Sequence, residues 1–382
     1  MLNRALCALA LLAACVLALP AHAQSVSGEV RNVVIVDAES GARLYCDNCE
    51  TPMPPASMSK LMTVLMVAER LAAGQLSMDT RFRVSERAWR HGAMSDGSHM
   101  FLELNSEVSV RDLLSGVIIV SANDACIVLA EGISGSEEAF VAAMNRRAQE
   151  LGLTSARFRN TPGLPDPDHV ISAWDLARLA QILIRDYPEL YRLYAQREFT
   201  YNNRTQQNRN PLLGAFAGAD GVKTGHTSVS GYGLVGSAVL NGQRRIIVFN
   251  GADTMAERRS EALRLMRAAF HDFGVSRIAA AGEQVGEAQV RLGGRGTVPL
   301  LAQQDIVVGG PRNIQSGLSA SIVYQGPLPS PIAEGAVVAH LIVEGPGFET
   351  QRFPLVAGRR VGRANWFSRA FEGLRLTLLG PS

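Results

Sequence analysis

The chain has 382 residues, 47% of them hydrophobic, and a net charge of +2. That is long enough for two domains and apolar enough for a sizeable core, while the near-neutral charge gives no case for nucleic-acid binding. Of 37 basic residues only Lys60 and Lys223 are lysine; all others are arginine.

The N-terminus reads "MLNRALCALALLAACVLALPAHAQS". Arg4 supplies a positive n-region, residues 5–19 an apolar run, and Ala21-His22-Ala23 a small-x-small site, which predicts a signal peptide cleaved before Gln24. A rival, "LAAC" at 12–15, resembles a lipobox around Cys15, but the apolar run continues past it and the later site fits better. No later stretch reaches the ~20 apolar residues that span a bilayer. The mature chain is expected to be exported, and soluble or peripheral.

Residues 29–50 read as a hairpin, "EVRNVVIVD" and "ARLYCDN" joined by "AESG". "CDNC" at 46–49 fits a redox pair, half a metal site or a local disulfide. With no second Cys/His pair at suitable spacing and an oxidising compartment expected, a structural disulfide is favoured. Cys126, in an apolar helical run, reads as a buried thiol. A helix is predicted from about Ser57, and helical patterns dominate from Arg111 to Tyr194. Within them, "SEEAFVAAMNRRAQELGL" opens on a capping-box-like start and closes at a glycine. From "YGLVGSAVLNGQRRIIVFNGA" the period is that of strands, with Asn241-Gly242 as a hairpin turn, and a helix near 256–272 follows. Strands at both ends with helices between predict an α+β domain whose first hairpin joins the late strands in one sheet. After Gly274, the runs "QVRLG", "QDIVVG", "SASIVYQG", "AVVAHLIV" and "RFPLV" predict a small β-sandwich or barrel-like domain. The final "RANWFSRAFEGLRLTLL" returns to helix period.

Three short motifs carry chemistry. Ser57 and Lys60 stand three apart, on one face of a helix. A serine hydroxyl needs an adjacent base, and a lysine with a depressed pKa can serve where an arginine cannot. Ser121 and Asn123, in "SANDAC", fall between two helical runs, at an expected loop tip. Lys223-Thr224-Gly225 precedes a strand pattern and is expected to edge a cleft. There the glycine would admit a ligand backbone, while Lys223 and Thr224 would offer charge and a hydroxyl to a carboxylate. Each motif alone is weak: S-x-x-K recurs by chance, and a serine before a helix is ordinarily an N-cap. Together, in the order S-x-x-K, S-x-N, K-T-G, they form the set of penicillin-recognising serine enzymes, and both lysines of the chain fall inside it.

With these motifs, and with "LIRDYPELY", "FTYNNRTQQNRNPLL" and "AERRSEALRLMRAAF", the chain resembles the low-molecular-mass penicillin-binding proteins, specifically the D-alanyl-D-alanine carboxypeptidases similar to penicillin-binding protein 5. The likeness covers most of residues 30–275 and is weaker over the tail. It implies a transpeptidase-like α+β fold and four segments: a signal peptide (1–23), a serine carboxypeptidase domain (24–277), a small β-rich domain (278–362) and an amphipathic helix (363–382). It implies Ser57 as the acylated nucleophile and Lys60 as candidate base, with Ser121 and Asn123 shuttling protons and orienting the peptide. Lys223, Thr224, Gly225 and His226 would face the substrate, Arg209 would hold the terminal carboxylate, and the backbone N–H groups of Ser57 and His226 would form the oxyanion hole. No metal or cofactor is called for. The implied partners are the peptidoglycan pentapeptide stem, β-lactam antibiotics as covalent inhibitors and the inner-membrane surface, and the implied location is the periplasm. One departure is visible: where the family often carries His before Gly-Leu, this chain has Pro162. His169, later in the same loop, reads as a loop hydrogen-bonding residue. An endopeptidase shares the motifs. A class A β-lactamase would need a deacylating Glu, absent from "GLPDPDHVIS", and a non-catalytic sensor fits poorly with intact motifs.

Overall fold

A computed structural model describes residues 28, 30–94, 97–313, 317–345 and 348–364. The predicted signal peptide and nearly all of the predicted terminal helix lie outside these residues.

The region up to His271 is built on one five-stranded antiparallel sheet. The predicted hairpin forms β1 (Arg31–Asp37) and β2 (Arg43–Asp47). The helix expected from Ser57 begins as a 3-10 turn over Ala56–Ser59 and continues as α1 (Lys60–Ala72). Next come β3 (Arg81–Arg83), α2 (Glu86–Met94), β4 (Glu107–Ser109), α3 (Val110–Ser115), α4 (Asn123–Ser134), α5 (Glu137–Glu150), α6 (Ala173–Asp186) and α7 (Pro188–Tyr191). A short pair, β5 (Glu198–Tyr201) and β6 (Arg204–Gln207), leads to β7 (Ala219–Thr227), β8 (Gly231–Leu240) and β9 (Gln243–Ala252), then α8 (Met255–His271). The sheet order is β2-β1-β9-β8-β7, so the first hairpin does complete the late sheet.

Both faces of this sheet are covered. Val33 and Ile35 point into a cluster with Leu265 and Met266 of α8, while Val34 and Val36 join the large helical core with Leu61, Leu129 and Leu179. Burial on both faces turns the central strands into unbroken apolar runs. Local chemistry sets the boundaries. Asn241 and Gly242, at φ 52° and 76°, make the two-residue turn between β8 and β9. Ser136, Ser172 and Thr254 each accept a backbone N–H at the start of α5, α6 and α8.

The tail is all β. β10 (Phe273–Ala279) pairs with β13 (Ile306–Pro311), and β11 (Gln284–Arg291), β12 (Thr297–Ala302), β14 (Ser319–Val323), β15 (Leu328–Pro329), β16 (Val337–Gly345) and β17 (Phe348–Ala357) form a six-stranded sheet in the order β14-β16-β17-β12-β11-β15. β12 (Thr297–Ala302) was not legible in the sequence: Pro299 in its middle spoils the strand signature, yet it pairs with β11 (Gln284–Arg291) and β17 (Phe348–Ala357). Arg43 links the two regions, reaching Glu50 and Glu349 at 2.6 Å each. The favoured disulfide is present, Cys46–Cys49, and Cys126 is buried and free.

Candidate active site

Ser57 lies on the one-turn 3-10 segment, straight after Ala56, which holds a left-handed φ of 49°. Two glycines let other chain segments press against this turn. A Cβ on Gly163, at φ 82°, would come 2.1 Å from Ala56 O, and one on Gly225 would come 2.7 Å from Pro55 O. The sequence reading gave Gly225 to a ligand's backbone. Gly225 lines the cleft, and the close approach it permits includes that of the protein's own nucleophile turn.

Lys60 starts α1 with no solvent exposure. Its Nζ lies 2.8 Å from Ser57 Oγ and donates to Asn123 Oδ1 at 2.8 Å and to Pro162 O at 2.6 Å. Burial pushes the amine down to about 8, and the charge of Arg209 pushes the same way. Pro162, the departure from the family pattern, thus enters the site through its backbone carbonyl, which any residue there could supply.

Ser121 follows a π-helical turn over Gly116–Val120 and holds φ 66°, ψ 31°. The N-cap of α4 is Ala122, with no side-chain cap bond, so Ser121 is not a helix cap. Its Oγ is buried, lines the cleft and has no hydrogen-bond partner among the described residues. Asn123 is the first residue of α4. Its neighbour Asp124 accepts from the N–H groups of Met100 and Ala125, fixing the segment that brings Ser98 over the cleft. Ser98 O accepts from Asn123 N at 2.7 Å, and Ser98 Oγ from Arg209 at 2.5 Å. Asp124 and Ser98 went unnoticed in the sequence, since both are common loop and cap residues.

Lys223, Thr224, Gly225 and His226 precede β8, the strand of the predicted pattern, and themselves lie within β7, the edge strand. Thr224, Gly225 and His226 line the cleft. Lys223 does not. It is 3% exposed, donates to Thr224 O at 3.1 Å, and is held well below the ordinary lysine range by burial, then by Lys60 and Arg209. It is therefore an enclosed amine behind the wall, not a direct contact in the open cleft. His226 stacks on Tyr232 with centroids 3.8 Å apart.

These groups converge on one cleft of 350 Å³, which Arg209 also lines. Arg258 is a further lining residue that sequence reading missed. It is 6% exposed, lies 5.3 Å over the Tyr232 ring, and its Nε has no partner among the described residues. A signal was present: Arg258 falls near the N-terminus of α8, where a helix dipole disfavours positive charge, and broken local rules mark functional sites.

The family model for D-alanyl-D-alanine carboxypeptidases matches residues 20–254, and that for the penicillin-binding protein 5 C-terminal domain matches residues 273–363. The chain belongs to the D-alanyl-D-alanine carboxypeptidase family. It is 37% identical over 350 residues to D-alanyl-D-alanine carboxypeptidase DacA of Haemophilus influenzae, covering 91% of this chain and 89% of that one. It is 35% identical to DacC of Escherichia coli over 91% of this chain and 88% of that one. The crystal structure of penicillin-binding protein 5 from Haemophilus influenzae superposes with a TM-score of 0.77 at 36% identity, over 88% of this chain and 98% of that one. The match spans both the helical-and-sheet region and the β tail, so the implied fold and family hold.

Proposed function

We propose that this serine-type D-alanyl-D-alanine carboxypeptidase removes the terminal D-Ala of the peptidoglycan pentapeptide stem through an acyl-enzyme on Ser57. The observation that carries the roles is the bonding of Lys60. A neutral lysine amine has two N–H donors and one lone pair. Asn123 Oδ1 and Pro162 O only accept, so they take both N–H groups. The lone pair is left for the Ser57 hydroxyl, 2.8 Å away. With its pKa near 8, roughly a tenth of Lys60 is neutral at pH 7.

Ser57 Oγ then attacks the carbonyl of the penultimate D-Ala as its proton passes to Lys60. The backbone N–H groups of Ser57 and His226 receive the oxyanion. Ser121, with its unpartnered hydroxyl at the cleft, relays a proton to the departing amine as the C–N bond breaks. Arg209, Thr224 and Arg258 hold the terminal carboxylate, and water resolves the ester. A β-lactam acylates Ser57 by the same attack, its ring amide in place of the peptide bond. An endopeptidase or lactamase reading has no specific observation in its favour.

The wider setting rests on the sequence. The N-terminal pattern supports export to the periplasm. A helix over 364–379 would put Trp366, Phe367, Ala370, Phe371, Leu374 and Leu378 on one side and Arg369, Glu372 and Arg375 on the other, which supports attachment to the outer face of the inner membrane. Deleting 364–382 is expected to move the protein to the soluble periplasmic fraction with activity on small peptides retained; a truncated protein that still pellets with membranes overturns the anchor. The enzymatic reading is tested by incubating residues 24–382 with a D-Ala-D-Ala-terminated pentapeptide and with fluorescent penicillin. Released D-Ala and label on Ser57 are expected, whereas label without release would favour a sensor.

A further inference from the structure

One of the acceptors on Lys60 is a backbone carbonyl, Pro162 O at 2.6 Å. Its direction governs where the rest of the amine points. A peptide unit is planar, so the Pro162 C=O and the Gly163 N–H turn together. The Gly163 N–H donates to Asn160 Oδ1 at 2.8 Å, and the Leu164 N–H donates to the same oxygen at 2.8 Å. The Arg159 N–H, just before, is taken by His169 Nδ1 at 3.2 Å, the loop bond expected of that residue. Pro162 itself has a ring-locked φ and no N–H to donate. The carbonyl is thus held on its C-terminal side, and Thr161 must hold it on the other.

Thr161 has no solvent exposure, and its N–H, hydroxyl and carbonyl are all engaged. The carbonyl accepts from Thr63 Oγ1 at 2.9 Å, on α1 and three residues after Lys60. The N–H and the hydroxyl both donate to one oxygen of Glu137, at 2.9 and 2.8 Å. Glu137 is 7% exposed, at the start of α5 and 24 residues away in sequence. Its second oxygen accepts from Arg87 at 2.6 Å. The neighbouring Glu138 is a contrast: its side chain is 70% exposed and meets the other arm of Arg87 at the surface. Burying a carboxylate is costly unless it is paired and hydrogen-bonded. Glu137 is both, and its two inward bonds go to the residue that precedes the Lys60 acceptor.

We propose that Glu137 is a positioning residue for acylation. By holding Thr161 at two atoms it sets the Pro162 carbonyl, which takes one Lys60 N–H and leaves the lone pair of the amine aimed at Ser57. The role rests on the carboxypeptidase reading of Ser57 and Lys60 and adds to it a residue that does not line the cleft.

The test follows the exponential rate at which fluorescent penicillin acylates Ser57 in the purified mature chain, over a range of penicillin concentrations. This separates the limiting rate constant from the apparent dissociation constant, and a rate constant, unlike an amplitude, does not change with an unfolded fraction. Glu137→Leu removes both acceptor oxygens at similar volume. Its limiting rate should fall about 30-fold, the size of one hydrogen bond to a charged group. Its dissociation constant should stay within about twofold, because nothing in the cleft wall is removed. Glu137→Gln keeps an acceptor oxygen for Thr161, and Arg87 can rest on Glu138, which it already meets. Its limiting rate should return to within about threefold of wild type. Thr161→Val removes one of the two donors at nearly the same shape and leaves the Glu137–Arg87 pair intact. It should show the same loss in rate alone, at about fivefold, and it carries the test if Glu137→Leu does not fold. A wild-type limiting rate in Glu137→Leu, or in Thr161→Val where Glu137→Leu does not fold, overturns the role. So does a loss that lies in the dissociation constant, or a Glu137→Gln variant as slow as Glu137→Leu. Absence of label on Ser57 in the wild type would instead overturn the enzymatic reading.

Discussion

Lys60, at the floor of the cleft, is fully enclosed and has oxygen atoms on three sides. Arg209 and Arg258, along its rim, hold cations that meet no carboxylate among the described residues: Arg209 donates to the neutral Ser98 hydroxyl, and Arg258 has no partner for its Nε among those residues. The floor uses burial to destabilise a charge, so that a proton can leave. The rim uses permanently charged guanidinium groups, which keep their protons whatever their surroundings, as fixed positive charge. One site thus separates proton transfer from anion binding by choosing lysine for the first and arginine for the second.

The contrast breaks most completely at its centre. Ser57→Ala should lower D-Ala release by more than about 10³-fold and abolish covalent penicillin labelling, because the intermediate needs that oxygen. Retained labelling, read on a gel, would move the nucleophile elsewhere. Next comes Lys60→Arg, which keeps the charge and removes the ability to lose it. Acylation should fall nearly as far as in Lys60→Ala, on the order of 10³-fold. The same reasoning sets the pH dependence. The folded-state pKa of Lys60 is depressed to about 8, and the neutral amine is the active form. Acylation kcat/KM should therefore climb as pH rises toward about 8 and level off above it. A flat profile over that range would deny Lys60 the role of base.

Lys223→Arg sharpens the boundary between floor and rim. On charge alone it would be mild. Lys223 is nearly enclosed, however, and a guanidinium there overfills the space, so a loss of roughly 10²-fold is expected, with some stability lost as well. Near-wild-type kinetics would show that the position behaves as rim. The smallest effect is expected at Arg258→Gln, which removes one charged hydrogen-bond donor from the rim. Here kcat/KM should drop about tenfold, mostly in KM. A loss confined to kcat would place Arg258 in the chemical step instead.

Much of this was local and so was legible in the chain. The cap at Ser136, the Asn241-Gly242 turn and the three ordered motifs each depend on residues a few positions apart, and the cap and the turn were found where expected. The two lysines could be singled out because every other basic residue is arginine. What the folded chain alone decided involves partners distant in sequence. The Pro162 carbonyl and Asn123 reach Lys60 from 102 and 63 residues away. Lys223 withdraws behind the cleft wall because β7 is an edge strand packed on the nucleophile turn. Gly163 and Gly225 serve contacts with Ala56 and Pro55 that no short window contains. Arg258 enters the cleft only when α8 covers the sheet. A residue's type shows what chemistry it can perform, and backbone propensity shows its local shape. Burial and the set of neighbouring acceptors, which tune a lysine into a base, arise only when remote segments pack together.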